Sequence, residues 1–226
     1  MIEGYSKPLA LGSFGLSHCV GVWDFTNDSD LSDFLMHETN AGTVPTAVLD
    51  AAFGTCLFTT DTADNDRYSC QVEGEFILPT ANKEFWVVAR FKVSEATEID
   101  VLFGVVPGGA TPDYITTAST NGIWFLKDDG AALWEANHYS TEVVVDDANV
   151  GTLVADTFVT MAIRVQCKSV ATKADIDYFI DGVNVCTVKD ATLAAATELT
   201  PLIMFQNGSA AARTMTLDYI GFSVER

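Results

Sequence analysis

Positive charge is scarce in this chain. Its 226 residues hold twelve Lys and Arg against thirty-one Asp and Glu, a formal net charge of -19. Lys7 is the only basic residue before Arg67. Phosphate binding needs a basic surface, so nucleic acid is excluded as a direct partner, and an anionic membrane with it. Two readings of the acid stay open together. It keeps a protein dispersed at high concentration, and it faces away from something negative or toward a basic partner.

Cysteine is also sparse. Cys19, Cys56, Cys70, Cys167 and Cys186 are odd in number, lie far apart and form no C-x-x-C pair. Neither a zinc site nor a disulfide framework follows from that spacing. Small buried hydrophobes in a reducing compartment are the expectation. The three histidines, His18, His37 and His138, share no ligand spacing. No G-x-S-x-G, P-loop or dinucleotide fingerprint occurs. No apolar run approaches a membrane-spanning length. The N-terminus MIEGYSKPLALGSFGLSHCV has no basic region ahead of an apolar stretch that Gly and Ser interrupt, so it makes a poor signal peptide. Assembly in a cytoplasm is expected.

What the chain does have is apolar content, 48% of residues with 11% aromatic, far above what a disordered chain carries. A chain of this length buries roughly 70% of its unfolded surface and needs no covalent staples. Residues 1–20 read as an extended arm. Tyr5, Leu9, Leu11, Phe14 and Leu16 are apolar, while Gly4, Pro8, Gly12 and Gly15 break any helix. The arm is either a first strand on the body of the protein or a segment that docks on a neighbour through those five side chains. Residues 29–38 predict a short helical turn capped by Ser29 or Asp30. Residues 61–66, DTADND, read as a polar turn.

From residue 72 the apolar period is two, the signature of half-buried strands. In FWVVARFKV, Phe85, Val87, Ala89, Phe91 and Val93 share a face. Ile99, Val101, Phe103 and Val105 do so in IDVLFGVV, and Val159, Met161, Ile163, Val165 and Cys167 in TFVTMAIRVQC. GIWFLKDDGAALWE reads as a hairpin turning at DDG. In IDYFIDGVNVCTV, Asp181-Gly182 suits a two-residue type I′ turn, pairing Ile180 with Val183, Tyr178 with Val185 and Ile176 with Thr187. DATLAAATEL, 190–199, is a short helix or a loop. Two further strands close the chain, LTPLIMF and TMTLDYIGFSV. The second switches apolar phase between Tyr219 and Ile220, which a bulge or two-sided burial explains. Short strands between Gly, Asp, Asn and Pro turns indicate an all-β sandwich or barrel. The division is an arm, 1–20, and one sandwich domain, 21–226.

The order FWVVARFKVSEAT, DVLFG, NGIWFLKDDG, DYFIDGVNV and MTLDYIGFSV, preceded by TADNDRYS, resembles the concanavalin A-like lectin/glucanase jelly roll over residues 55–226. The variant it most resembles occurs in tailed-phage virion proteins, including capsid decoration (cement) proteins. The resemblance implies a two-sheet antiparallel jelly-roll sandwich. Glycosidases of that superfamily place carboxylates on one strand as E-x-D-x-E, so that a period of two points all three into a cleft. Here the segment is EIDVL: Glu98 and Asp100 fit, but the third position is Leu102. No catalytic residues are assigned, and the chain is expected not to be an enzyme. Glu98 and Asp100 are expected on a solvated face. Glu73-Gly74-Glu75 also sets two carboxylates on one strand face, read as a solvated edge.

No cofactor is expected. Calcium at Asp61, Asp64 and Asp66 is the one metal alternative. For glycan binding the aromatic candidates are Trp86, Trp124, Trp134 and Tyr139, each equally readable as core. The resemblance implies a phage virion structural protein, a decoration subunit on the capsid exterior. It would bind major capsid protein and itself, as a trimer, through the arm residues Tyr5, Leu9, Leu11, Phe14 and Leu16. A carbohydrate-binding module, with a glycan as partner, is the alternative; a divergent glycoside hydrolase is the third.

Overall fold

The computed structural model describes residues 18–25, 28–39, 43–48, 54–74, 77–109, 114–115, 121–139, 143–193 and 197–226; for 28–30, 43–48 and 143–145 it describes the backbone alone. Fifteen strands follow in order: β1 His18–Trp23, β2 Phe34–Glu38, β3 Thr43–Val48, β4 Thr55–Thr59, β5 Arg67–Val72, β6 Glu84–Val93, β7 Ile99–Val106, β8 Gly122–Lys127, β9 Leu133–Tyr139, β10 Val143–Thr152, β11 Val159–Cys167, β12 Lys173–Ile180, β13 Val183–Thr192, β14 Thr200–Asn207 and β15 Thr214–Glu225. Every pairing is antiparallel.

Two sheets result. The eight-stranded sheet runs β13-β12-β11-β6-β15-β4-β3, with β1 also on β15; the seven-stranded sheet runs β10-β9-β8-β7-β14-β5-β2. Neighbouring strands are mostly distant in sequence, as in a jelly roll. The core lies between the sheets. Phe91 meets Trp134 with ring centroids 6.2 Å apart, Tyr178 meets Phe125 at 5.2 Å, and Phe58 meets Tyr68 at 5.9 Å. Each such aromatic buries a large apolar area, about 1.5–3 kcal/mol of transfer free energy for a fully buried apolar side chain.

The period-two faces of the sequence are the inner faces of these strands. Phe85, Val87, Ala89, Phe91 and Val93 are all buried, as are Val101, Phe103 and Val105 opposite them. All five cysteines are free, with Cys56, Cys70 and Cys167 buried. Burial pushes the Cys56 thiol up to about 12.

Three local expectations are corrected. The helical turn at 29–38 is a 3-10 helix over Asp28–Asp33 only; the next residues become β2. Phe34 packs 5.3 Å from Trp23, and pairing with β5 overrides the local helical spacing. The segment DATLAAATEL begins as strand rather than helix or loop, since β13 continues to Thr192. In the β12–β13 hairpin, Ile180 pairs with Val183, and Asp181 and Gly182 have φ of 49° and 78°, as a type I′ turn requires. Beyond them the register shifts by one, so Tyr178 pairs with Cys186 and Ile176 with Val188. The cause is visible in VNVCTV, where the apolar phase changes at Val185–Cys186 and one extra residue restores it. A similar shift in β15 falls at Asp218, between Leu217 and Tyr219. It separates the part of β15 that pairs with β4 from the part that pairs with β1.

Candidate binding site on the outer face of the seven-stranded sheet

The two central strands of this sheet, β7 and β14, are buried along their whole length. Their outward side chains therefore face something other than water. Leu102, Val106, Trp124, Leu202 and Met204 form a second apolar cluster, and Tyr114 and Ile115 pack onto it. Gly104 is what lets the Trp124 side chain settle there. The two residues are direct cross-strand partners, and a Cβ on Gly104 would meet the Trp124 backbone and Cβ at 2.6 Å. The middle of the face is thus filled by the protein's own side chains.

Open space lies to one side, where β5 ends and β2 begins. A pocket of about 310 Å³ is lined by Leu35, Gln71, Val72, Glu73, Gly74, Gly108 and Gly109. Gln71 is nearly fully buried on the outer side of β5. Its Nε2 donates to Pro107 O at 3.3 Å, and its Oε1 accepts from Gly109 N at 3.3 Å. One amide side chain thereby fixes both the strand and the 107–109 segment that forms the far wall. Tyr114 strengthens that wall by donating to the same Pro107 O at 3.0 Å. Leu35, opposite Gln71 on β2, presents an exposed apolar surface. Glu73 follows β5 and is exposed; its backbone N donates to Asp33 O at 2.8 Å, which anchors the carboxylate-bearing turn. The combination is an apolar wall, glycines that leave backbone accessible, an immobilised amide and one carboxylate. Ligand pockets typically span about 300–1,000 Å³ with a few placed polar groups.

The EIDVL segment lies elsewhere on this face. Glu98 is exposed and bound by Arg213 at 3.2 Å and Ser209 at 2.8 Å. Asp100 is not on a solvated face, contrary to expectation. It is 7% exposed, accepting from Asp129 N at 2.6 Å and Gln206 Nε2 at 3.3 Å. Burial pushes its carboxyl above the usual range. The β7 alternation does point Asp100 outward, but a turn at 128–130 closes over it. Leu102 belongs to the apolar cluster.

Two of the three calcium candidates, Asp61 and Asp66, serve their own turn, and Asp64 is exposed. Asp66 is fully buried and accepts from Asp61 N at 2.7 Å and Thr39 Oγ1 at 3.1 Å. Asp61 Oδ1 accepts from Ala63 N at 2.5 Å. The Asp61 and Asp66 carboxylates are taken up by backbone N–H groups and the Thr39 hydroxyl. Among the described residues no three His, Cys, Asp or Glu side chains are grouped to hold a metal ion.

The four aromatic candidates are not brought together. Trp134 is core, Trp124 lies in the covered cluster with Tyr139 beside it, and Trp86 is on the other sheet. Of the histidines, His18 is on β1, His37 on β2, and His138 on β9, where its Nδ1 bonds Asp146 at 2.8 Å. The five arm residues Tyr5 to Leu16 and Glu75 lie outside the described residues. Of the pocket, sequence reading singled out only the Glu73-Gly74 turn. Nothing in the local pattern marks Gln71, Leu35 or Gly108–Gly109, which meet only through the β2-β5 pairing and the return of the chain after β7.

No protein-family model matches the chain, and no curated protein matches it. Solved structures do. The chain is similar to an endo-1,3-beta-glucanase from Streptomyces sioyaensis, at TM-score 0.64 and 14% identity over 92% of this chain and 97% of that one. It is similar to the carbohydrate recognition domain of Emp46p in a potassium-bound form, at TM-score 0.59 and 10% identity over 88% and 94%. It is also similar to a carbohydrate esterase from the Shiga toxin-encoding bacteriophage phi24B, at TM-score 0.56 and 13% identity over 91% and 97%. These structural likenesses, at identities too low to show more, establish the fold alone, a two-sheet concanavalin A-like jelly roll. They also correct the expectation that the chain is not an enzyme, because the fold is one that a glucanase and an esterase use over nearly their whole lengths. The departure at Leu102 rules out only the mechanism that needs a third carboxylate at that point of the strand.

Proposed function

We propose that this chain is a glycan-engaging domain that takes a saccharide in the pocket between Gln71, Glu73, Leu35 and the Gly108–Gly109 segment. The observation that carries the reading is the Gln71 side chain, buried at the pocket wall and held by Pro107 O and Gly109 N. Sugars offer both apolar C–H faces and dense hydroxyls, which suit an apolar wall beside a fixed amide, a carboxylate and open backbone. The fold's occurrence in a carbohydrate recognition domain, a glucanase and a carbohydrate esterase supports the same ligand class. A panel of soluble polysaccharides in affinity electrophoresis tests it. At least one should retard the protein, and Gln71→Ala or Glu73→Gln should abolish the retardation. Retardation by none would overturn the reading.

A second reading, a decoration subunit on a phage capsid exterior, is favoured by one observation: a phage protein has this fold over 97% of its compared chain. It expects the chain to fractionate with particles, and deletion of residues 1–20 to release it. Full occupancy by the truncated protein would remove the arm from that reading.

A further inference from the structure

The outer face of the eight-stranded sheet differs in charge from the rest of the molecule. Lys83, Arg90, Lys92, Arg164, Lys168, Lys173, Lys189 and Arg226 lie on it or at the ends of β6, β11, β12, β13 and β15. Only Glu84, Asp175, Asp177, Asp181, Asp190, Asp218 and Glu225 accompany them. With Arg213, which also adjoins β15, nine of the twelve basic residues meet seven of the thirty-one acidic ones on these strands and their ends, about +2 there against about -21 for everything else.

Rings and cations are interleaved here. Arg90 lies 4.2 Å and Lys92 5.2 Å from the centroid of the Phe158 ring. Arg90 is ion-paired to Asp218, the extra residue of the β15 bulge, whereas Lys92 has no carboxylate partner among the described residues. Two cations therefore share the Phe158 ring, and only one of them is ion-paired. Four residues from Arg90 along β6, Trp86 stacks on Phe179 with centroids 5.4 Å apart. The two rings meet diagonally across β11, where Phe179 pairs with the small Ala162 and Trp86 with Arg164. Arg164 sits 5.5 Å from the Trp86 ring and bonds Glu84 at 2.8 Å. Asn184 and Thr187, both exposed, supply neutral hydrogen-bonding groups alongside.

We infer that this face is a second binding surface, for an anionic polysaccharide carrying carboxylates on its sugar rings. Half-buried rings pack against pyranose C–H faces, whose partial positive charge suits the negative face of an aromatic ring. The guanidinium of Arg90 and the ammonium of Lys92 meet the carboxylates. The net charge of -19 does not forbid this. Packed sheets lie about 10 Å apart, and the Debye length at physiological salt is about 8 Å, so acids beyond the other sheet are largely screened. Those acids keep a polyanion off every other face and so orient it. The inference takes from the pocket reading only the ligand class; the surface is on the opposite side of the sandwich.

The test titrates the full chain with polygalacturonate, a neutral β-glucan and polyglutamate, at low and high salt. Wild type should bind polygalacturonate with salt-dependent affinity and polyglutamate more weakly. Arg90→Gln with Lys92→Gln should weaken polygalacturonate binding about tenfold, through loss of two charge contacts. The variant's unchanged thermal midpoint and its unchanged behaviour toward the neutral glycan show that it is folded. No polygalacturonate binding by wild type, equal binding by the variant, or equal affinity for polyglutamate each overturns the inference. Binding of polygalacturonate with no neutral glycan bound would sink the pocket reading and leave this one standing.

Discussion

Gln71 and Pro107 are joined across the outer face of the seven-stranded sheet by a side-chain to backbone hydrogen bond of 3.3 Å. The same amide receives Gly109 N, so a single residue of β5 holds the segment that leaves β7. The pocket wall therefore rests on this side chain, with Tyr114 also supporting Pro107 O. Gln71→Ala should cost about 1–3 kcal/mol, two neutral hydrogen bonds at roughly 0.5–1.5 kcal/mol each. Urea unfolding measures the loss. Gln71→Glu should recover only the bond from Gly109 N, since a carboxylate cannot donate to Pro107 O.

The covered cluster depends on Gly104. An alanine there pushes its Cβ into the Ile123 carbonyl and Trp124. Gly104→Ala should destabilise by about 1–3 kcal/mol, as overpacking does, and should shift Trp124 fluorescence. Unchanged stability and spectrum would mean that the sheet accommodates the methyl.

Lys127 faces inward at the end of β8 and is fully buried, donating to Thr97 O at 2.7 Å and to Ile99 O. Burial holds its ammonium below the usual lysine range. Lys127→Met should cost about 1–3 kcal/mol by leaving carbonyls unpaired. The unfolded chain binds this proton more tightly than the fold does. The Lys127 contribution to stability therefore rises with pH between its folded value and the ordinary lysine value. Stability curves of wild type and variant in that alkaline window check the sign.

Asp175 receives Lys168 at 2.6 Å, Asp190 N at 3.1 Å and Lys189 at 3.2 Å. The Lys168 bond is foremost in holding its carboxyl down to about 2, against the opposing effect of burial. A depressed folded value stabilises above the unfolded value, roughly 3.9, and that stabilisation is lost as pH falls toward about 2. Asp175→Asn should thus be less stable than wild type at neutral pH and converge with it in acid. Parallel curves down to the lowest pH would contradict the assignment.

Reading the sequence reached the sandwich because its strands carry one buried face each, and a period of two is a local property. Phe85 to Val93 and Met161 to Cys167 declare their inner faces without reference to any partner. The hairpin at Asp181-Gly182 was equally legible, since positive φ at both positions is written in the residue types. The register beyond it was not, because a bulge at Val185 trades one local pairing for packing Cys186 and Val188, both partly buried, against the core. Asp100 was misread for a related reason. Its alternation is outward, but the 128–130 turn that covers it comes from the next hairpin. The pocket was the least legible part: Leu35, Gln71 and Gly108 belong to separate segments that only the sheet order brings together.

The central claim is that a saccharide occupies the pocket held by Gln71. Amide chemical-shift mapping during titration with a neutral oligosaccharide tests it most directly. The account predicts saturating shifts at Leu35, Gln71, Glu73, Gly108 and Gly109, lost in Gln71→Ala. Shifts confined to the outer face of the eight-stranded sheet, or none with any oligosaccharide, would contradict it.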